Sequence, residues 1–365
     1  MSEIETTRQQ GARYRGLLLA TVSTIALLGA VCNSDAADND TVPFWIELGG
    51  QYVQERNDIE LFSPPFLASS PFDGGSRVDA EKILPGSWDG SARLTYEPQG
   101  SDWLFSVSAL YGKGDRHASI DQRTAHHPTD SLFYAAYQNV TAESSESHTI
   151  IDFAVGKDFG LGMFGNDGRS VLSLDVRYAQ FNSRSGAAIR SEPVNHALYS
   201  GSHYYRFYAT FAAKRKFSGV GPSLTWNSSA RLLGSPSESS ITLDWGLNGA
   251  VLFGRQRAQG QHEITKEEIA HDVAGFYTPS GHSLTFYAHV PISRAGAPFN
   301  REREVIVPNL GGFAGVSWCY PNAKVSIGYR ADFFFGAMDG GIDAARRENI
   351  GFYGPFASVS VGIGG

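Results

Sequence analysis

The chain has 365 residues, of which 42% are apolar and 18% charged, and its net charge is −7. Its 41 glycines and its 23 Phe, 16 Tyr and 6 Trp residues argue against a disordered chain, because so many aromatic side chains offer ample surface to bury. The acidic balance disfavours a nucleic-acid binder, and no apolar run beyond the N-terminus approaches the roughly 20 residues of a membrane-spanning helix. A glycine- and aromatic-rich β protein is left.

Residues 1–36 are predicted to be an export signal. Three arginines between positions 8 and 15 precede an apolar segment at residues 16–31. Ser34 and Ala36 then place small residues at the two positions that a signal peptidase inspects, which predicts cleavage near Ala36. The alternative is a single anchoring helix, for which the apolar segment is short. The mature domain would then comprise residues 37–365.

Cysteine usage limits how the mature chain is stabilised. Cys32 falls within the predicted signal, so Cys319 is left alone and no internal disulfide can form. An exported chain of this size without a disulfide depends for its stability on a hydrophobic core or on burial in a membrane. A zinc site built from paired cysteines is excluded as well, and we predict neither a metal nor a cofactor.

The mature chain alternates between apolar and polar residues in one segment after another. Trp88, Leu94 and Tyr96 share one face of a clear example, while Asp89 and Arg93 share the other. Strict alternation over about ten residues is typical of a β-strand with one apolar and one polar face. In chain order we predict strands at residues 44–56, 87–96, 103–113, 148–159, 170–181, 203–226, 241–254, 304–320, 323–335 and 350–364.

Two all-β architectures fit this pattern: a soluble sandwich with its apolar faces inside, and a transmembrane antiparallel β-barrel with its apolar faces toward lipid. Aromatic residues such as Trp103 and Tyr111 recur at the ends of apolar faces, where rings prefer the lipid headgroup level. Charges such as Asp175 and Arg177 stand in mid-strand, which a wet lumen tolerates. The connections also alternate in length, so we predict an outer-membrane barrel with short periplasmic turns and long extracellular loops.

The alternating connections imply an even number of strands, and ten is the first choice. Residues 203–226 are long for one crossing, since a tilted strand needs about 9–11 residues. A break near Lys214 and an additional strand at residues 283–290 would give twelve. Periodicity alone does not separate the two counts.

Two of the predicted loops contain candidate functional residues. Residues 57–86 carry prolines and paired glycines among apolar residues, which suits a loop folded into the barrel mouth. Residues 114–147 contain His117, His126 and His127, but two adjacent histidines are not a spaced set of metal ligands. We therefore interpret the second loop as exposed and polar.

No catalytic signature is present. The sequence contains no phosphate-binding glycine loop, no pair of metal-binding histidines at helical spacing and no nucleophile elbow. The enzyme worth weighing is a barrel phospholipase, which needs a serine and a histidine on the outer wall. Ser228 or Ser229 could be its nucleophile, but nothing pairs either with a histidine. We predict that the protein is not an enzyme.

The polar faces supply the residues predicted to line a pore. About eight strands enclose a lumen filled by side chains, so ten or twelve strands predict a narrow pore. Charges inside the lumen set ion selectivity. The candidates are Asp89, Arg93, Asp152, Asp175, Arg177, Asp244, Asn248, Lys324, Arg330 and Asp332.

Several motifs, in their order and spacing, resemble one known family. They lie at residues 217–222, 243–254, 307–315, 325–330 and 351–356. Together they resemble the Legionella-type major outer membrane protein family, which consists of pore-forming barrels of Gram-negative bacteria. The resemblance extends from about residue 44 to the end of the chain and implies a porin with surface loops that contact other cells.

The predicted function is a porin for passive diffusion of small hydrophilic solutes. The alternative is a barrel that acts mainly as an adhesin or structural anchor through its long loops. The predicted partners are outer-membrane lipid and small solutes or ions, and no nucleic acid. A homo-oligomer and cell-surface partners bound through the loops stay open at this point, as does the solute itself.

Overall fold

The computed structural model describes residues 44–57, 86–120, 135–160, 169–193, 203–235, 238–277, 283–342 and 344–363. All of them belong to one compact unit, Val42–Gly364. The predicted export signal lies outside the described residues. Within them there is no helix long and apolar enough to cross a membrane.

Ten strands form one closed antiparallel barrel. Each strand pairs with its neighbours in sequence, and β1 pairs with β10 from Phe44 opposite Ile363 to Asn57 opposite Ile350. The predicted ten-stranded transmembrane barrel is therefore confirmed. The strands are β1 (Phe44–Asn57), β2 (Gly86–Tyr96), β3 (Trp103–Ile120), β4 (Ala135–Asp158), β5 (Arg169–Pro193), β6 (His203–Ser235), β7 (Ser239–Tyr277), β8 (Ser283–Tyr320), β9 (Ala323–Asp339) and β10 (Arg347–Ile363).

The alternative count of twelve strands is wrong. Residues 203–226 lie within β6, which pairs with both neighbours at Lys214 without a break. The additional strand considered at residues 283–290 is the first part of β8. Both segments are long because these strands continue beyond the roughly 9–11 residues that one membrane crossing needs.

The long connections are shorter than predicted. β3 continues to Ile120 and β7 continues to Tyr277, so much of the predicted loops at 114–147 and 255–303 is strand. The alternation that reveals a strand in lipid depends on one face being apolar, and it fades where polar residues occupy both faces. At the other end of the barrel the connections are short, at residues 97–102, 236–238 and 321–322.

The outer surface carries an apolar band. Leu174, Ile306 and Leu310 are 67%, 57% and 58% exposed, although large apolar side chains of a soluble protein would mostly be buried. Along β2 every second residue from Trp88 to Tyr96 is exposed, while the residues between them are buried or half-buried. Such a band is the surface that a barrel presents to hydrocarbon.

Aromatic rings border this band at both ends, as the sequence predicts. At the short-turn end the rings of Phe44 and Tyr96 stack with their centroids 4.7 Å apart. At the opposite end the rings of Tyr52 and Trp88 meet edge to face at 5.3 Å. Rings at these levels suit the headgroup regions of the two leaflets. The band and its rims thus define the membrane-spanning height of the wall.

Glycine is required where β6 and β7 approach each other inside the wall. A Cβ atom at Gly221 would collide with the backbone of Val251 and come within 3.0 Å of the Leu252 Cα. The two strands would have to separate to admit even a methyl group. The close pairing of β6 and β7 at this point therefore requires glycine at position 221.

We expect Gly221→Ala to lower the free energy of unfolding by about 1–3 kcal/mol, since overpacking at a backbone contact forces the strands apart. Urea unfolding of the barrel in lipid vesicles measures this change. Gly90→Ala is the matched control, because nothing lies within 4 Å of a Cβ at Gly90. Equal losses for the two variants would contradict the prediction.

Candidate functional site

All ten side chains predicted to line a pore lie on the inner face of the barrel wall. On β5, Asp175 and Arg177 are 4% and 5% exposed, whereas their neighbours Leu174 and Val176 point outward and are 67% and 52% exposed. The same alternation places the other eight inward, namely Asp89 and Arg93 on β2, Asp152 on β4, Asp244 and Asn248 on β7, and Lys324, Arg330 and Asp332 on β9. Their part in conduction stays a prediction.

A polar chamber of about 320 Å³ occupies the lumen at the short-turn end. Nine of the ten predicted residues line it, and it extends to the partly exposed Glu97 and Arg169 beside the short turns. Serine hydroxyls such as those of Ser91 and Ser173 complete the lining. The chamber is therefore a charged and hydroxyl-rich space that water and small polar molecules can occupy.

Arg177 crosses the lumen at the inner end of the chamber. Its Nε and Nη2 atoms donate hydrogen bonds to the two carboxylate oxygens of Asp152, at 2.7 and 3.1 Å. Its Nη1 atom donates to the side-chain oxygen of Asn248 at 2.8 Å and to that of Asn309, and it lies 3.9 Å from an oxygen of Asp332. These partners belong to β4, β7, β8 and β9, so one guanidinium joins five strands of the barrel.

An aromatic layer fills the lumen on the other side of Arg177. Phe181, Phe217, Phe334 and Phe352 all face inward and are between 0% and 5% exposed. The ring centroid of Phe181 lies 4.7 Å from that of Phe334, 5.4 Å from that of Phe352 and 5.6 Å from that of Phe217. Rings packed at these distances leave no room for water between them. In the part of the chain that the structure describes, the lumen is sealed at this level.

Asp89 lies beside the aromatic layer rather than in the chamber. One of its carboxylate oxygens is 2.8 Å from the His148 Nε2 atom, and the Ser87 hydroxyl donates to the other at 3.1 Å. The His148 ring in turn packs against Phe352 in a tilted arrangement, with the ring centroids 4.1 Å apart. Asp89 thus anchors the edge of the seal, which is a structural position that alternation alone did not reveal.

The segment at residues 336–342 folds inward above the aromatic layer. Arg301 on β8 holds it, because its guanidinium donates to both carboxylate oxygens of Asp339, at 2.9 and 3.3 Å. The same guanidinium donates to the carbonyl oxygens of Gly341 and Ile342, at 2.6 and 2.9 Å. This segment forms a second obstruction at the end of the barrel opposite the short turns.

Charges in the chamber are only partly neutralised by one another. Asp244 accepts a hydrogen bond from Ser317 at 2.5 Å and lies 2.6 Å from the Lys324 Nζ atom. Asp175 accepts a hydrogen bond from Thr225 on one oxygen, while its other oxygen has no hydrogen-bond partner among the described residues. The guanidinium of Arg330 lies between aromatic rings, 5.9 Å from the centroid of Phe313 and 5.6 Å from that of Phe356. The chamber therefore offers charges of both signs to a solute.

The residues that seal the lumen are not among those predicted from the sequence. Phe181 follows Asp175 and Arg177 in the same inward phase of β5, so its face could have been predicted from the alternation. Large aromatic residues at inward positions were the available signal. Asn309 and Arg301 had no such signal, because their role depends on contacts across the lumen with residues far away in sequence.

The histidines and the serine considered as metal ligands or nucleophile are not part of such a site in the described residues. His117 is exposed on β3, while His126 and His127 lie outside the described residues, as does most of the loop at 57–86. No group of potential metal ligands is assembled within the described residues. Ser228 faces the chamber instead of the outer wall, and its hydroxyl donates to the carbonyl oxygen of Arg169 at 3.2 Å.

The fold and the lumen define a ten-stranded transmembrane β-barrel with a polar chamber and an internal seal. No protein family matches the chain, and no curated protein matches it by sequence. Among solved structures, the transport unit of the autotransporter AIDA-I from Escherichia coli is 8% identical, over 93% of this chain and 97% of that chain, with a TM-score of 0.31. The toluene transporter TbuX from Ralstonia pickettii is 10% identical, over 88% of this chain and 90% of that chain, with a TM-score of 0.21.

We expect Arg177→Met to lower the free energy of unfolding by about 3–5 kcal/mol, because it leaves the mostly buried carboxylates of Asp152 and Asp332 without their cation. Arg169→Met is the control: Arg169 also pairs with carboxylates, but its side chain is 47% exposed, so we expect a loss of less than about 1 kcal/mol. Urea unfolding in lipid vesicles gives both values. The prediction fails if the two losses are the same.

Proposed function

We propose that this protein is a channel of the bacterial outer membrane for small hydrophilic solutes, and that the described conformation is its closed state. The observation that carries the proposal is the chamber of about 320 Å³, which is lined by charges of both signs and in which Arg93 forms no ion pair among the described residues. An unpaired charge in a dry interior is very costly, so such groups indicate a hydrated space. A hydrated lumen with charges of both signs is what a polar solute needs.

The apolar band and its aromatic rims support the outer-membrane location. An export signal at residues 1–36 would deliver the chain there, and its cleavage stays a prediction. The resemblance to the Legionella-type major outer membrane protein family, for example at residues 217–222 and 243–254, leads us to propose membership of that pore-forming family as well. The proposed role involves no catalysis.

Besides the segment at residues 336–342, which Arg301 holds in the lumen, two obstacles separate the chamber from the opposite end of the barrel in the closed state. The first is the guanidinium of Arg177 with its partners on four strands. The second is the aromatic layer around Phe181. Conduction therefore requires side chains to move, and removal of inward rings should reduce the number of side chains that have to move.

We expect the double variant Phe181→Ala/Phe334→Ala to conduct more ions than the wild type in planar lipid bilayers, since it removes two rings of the seal. The matched control is Phe153→Ala/Phe333→Ala, which removes two rings that point outward and are 56% and 38% exposed. The control should conduct as the wild type does. Heat-dependent gel mobility verifies that each variant is folded.

A folded inner variant that conducts no better than its control would contradict the channel proposal. It would favour the second candidate function, a surface anchor with a permanently closed lumen. The extent of β6, β7 and β8, with 33, 39 and 38 residues, is the observation that favours this candidate. Strands of that length continue well beyond the membrane and offer a surface to other molecules.

A further inference from the structure

Five basic side chains cluster on the outer face of the wall, and we call this cluster the basic patch. Alternation places all five outward, in contrast to the buried Arg215 and Gln256 between them. The members are Arg184 on β5, Lys214 and Lys216 on β6, and Arg255 and Arg257 on β7.

Register brings like charges directly opposite each other in the basic patch. Arg184 is the cross-strand partner of Lys214, and Lys216 is the cross-strand partner of Arg257. Side chains in such pairs leave the sheet about 4.5–5.5 Å apart, and like charges at that separation destabilise the sheet. An anion bound between them would turn this repulsion into attraction.

The basic patch begins where the lipid-facing band ends. Val220 on β6 and Phe253 on β7 are outward-facing and 49% and 54% exposed, so both belong to the apolar band. Arg255 is the next outward residue after Phe253, and Lys216 is the second outward residue beyond Val220. The charges therefore stand at the level of the lipid headgroups, on the side away from the short turns.

Nearby carboxylates neutralise only part of the basic patch. Glu302 lies 2.9 Å from Arg255 and 3.1 Å from Arg257, and Glu304 lies 3.9 Å from Arg255. By contrast, Arg184, Lys214 and Lys216 have no ion-pair partner within the part of the chain that the structure describes. The three unpaired groups give the patch a net positive charge.

Lys113 is a basic residue near the same end of the barrel, and it differs from the three unpaired members of the basic patch because a carboxylate neutralises it. Lys113 on β3 lies 2.8 Å from Asp115, and the hydrogen bond from Lys113 holds the pKa of the Asp115 carboxyl below its ordinary value. Both groups therefore stay charged and paired near neutral pH. Among the described residues, Lys113 is thus paired with a carboxylate, whereas Arg184, Lys214 and Lys216 are not.

We propose that the basic patch binds the phosphate groups of anionic lipid headgroups in the outer leaflet, which in a bacterial outer membrane are carried by lipopolysaccharide. The inference depends on the proposed outer-membrane location but not on conduction. Arginine matches phosphate with two parallel hydrogen bonds, and lysine adds a compact charge. Basic groups at a membrane surface attract anionic lipid in this way.

An amphipathic groove of about 660 Å³ adjoins the basic patch and supports a lipid as the occupant. Its outward-facing lining includes the apolar Phe253 and Ile306 together with Ser218, Arg255 and the exposed Glu304. The apolar part faces the membrane interior and Arg255 stands at the headgroup level. An acyl chain beside a phosphate fits this combination better than a soluble anion does.

The test uses the full-length barrel purified in a zwitterionic detergent and titrated with bisphosphorylated lipopolysaccharide, with binding followed by native mass spectrometry. We expect saturable binding, and a loss of about fivefold in affinity for each charge removed in Lys214→Gln/Lys216→Gln. Both lysines are exposed, so the fold should persist, which heat-dependent gel mobility verifies. The matched control is Lys157→Gln/Arg169→Gln, which removes the same charge near the short turns and should leave the affinity unchanged.

Enzymatically dephosphorylated lipopolysaccharide should bind as weakly as the double variant does. Equal affinity of wild type, patch variant and control variant would overturn the inference. Complete displacement of the lipid by millimolar inorganic phosphate would also overturn it, because the site would then bind a free anion. Binding is measured without conduction, so a silent channel that still binds the lipid would leave this inference standing while the proposed function fails.

Discussion

The absence of hydrogen-bond partners in hydrocarbon is the constraint on which this structure depends. Each backbone N–H and C=O group at membrane depth has to be bonded within the protein, and a closed barrel achieves this without free edges. Here the closure is the pairing of β1 with β10, with Phe44 opposite Ile363. Once the wall is closed, successive side chains have to point alternately to lipid and to the lumen. The apolar band and the polar chamber are two consequences of that one requirement.

The small number of strands explains why the lumen is sealed. In a ten-stranded barrel the opposite walls are close enough for one side chain to touch the other side, as Arg177 does with Asn309, 132 residues away in sequence. A barrel of 16–18 strands would separate them by water. The Arg177 guanidinium is desolvated in this narrow space. The free-energy cost of burying its charge is therefore offset by the several hydrogen-bond acceptors around it. The network that obstructs the chamber is also the one that makes a buried guanidinium tolerable.

The parts of the fold that face lipid were predictable from the sequence, and the parts that leave the membrane were not. Alternation located all ten strands and placed Asp175 and Arg177 inward, because lipid forces the outer residues to be apolar. Beyond the apolar band that contrast is lost, so β7 was predicted to end near residue 254 although it continues to Tyr277. Alternation also gives only the face of a residue. It does not tell which side chains meet across the lumen, so the aromatic layer around Phe181 was missed.

The same constraint limits how the barrel can open. The wall cannot separate within the membrane, since any lost pairing would leave backbone groups without partners in lipid. Among the described residues, movement is therefore confined to side chains in the lumen and to residues 340–342, whose contacts with Arg301 are hydrogen bonds outside the barrel ladder. Glycines at close approaches such as Gly221 make the wall still less adaptable. A rigid wall with a movable interior is the arrangement in which substitution of inward rings changes conduction while substitution of outward rings does not.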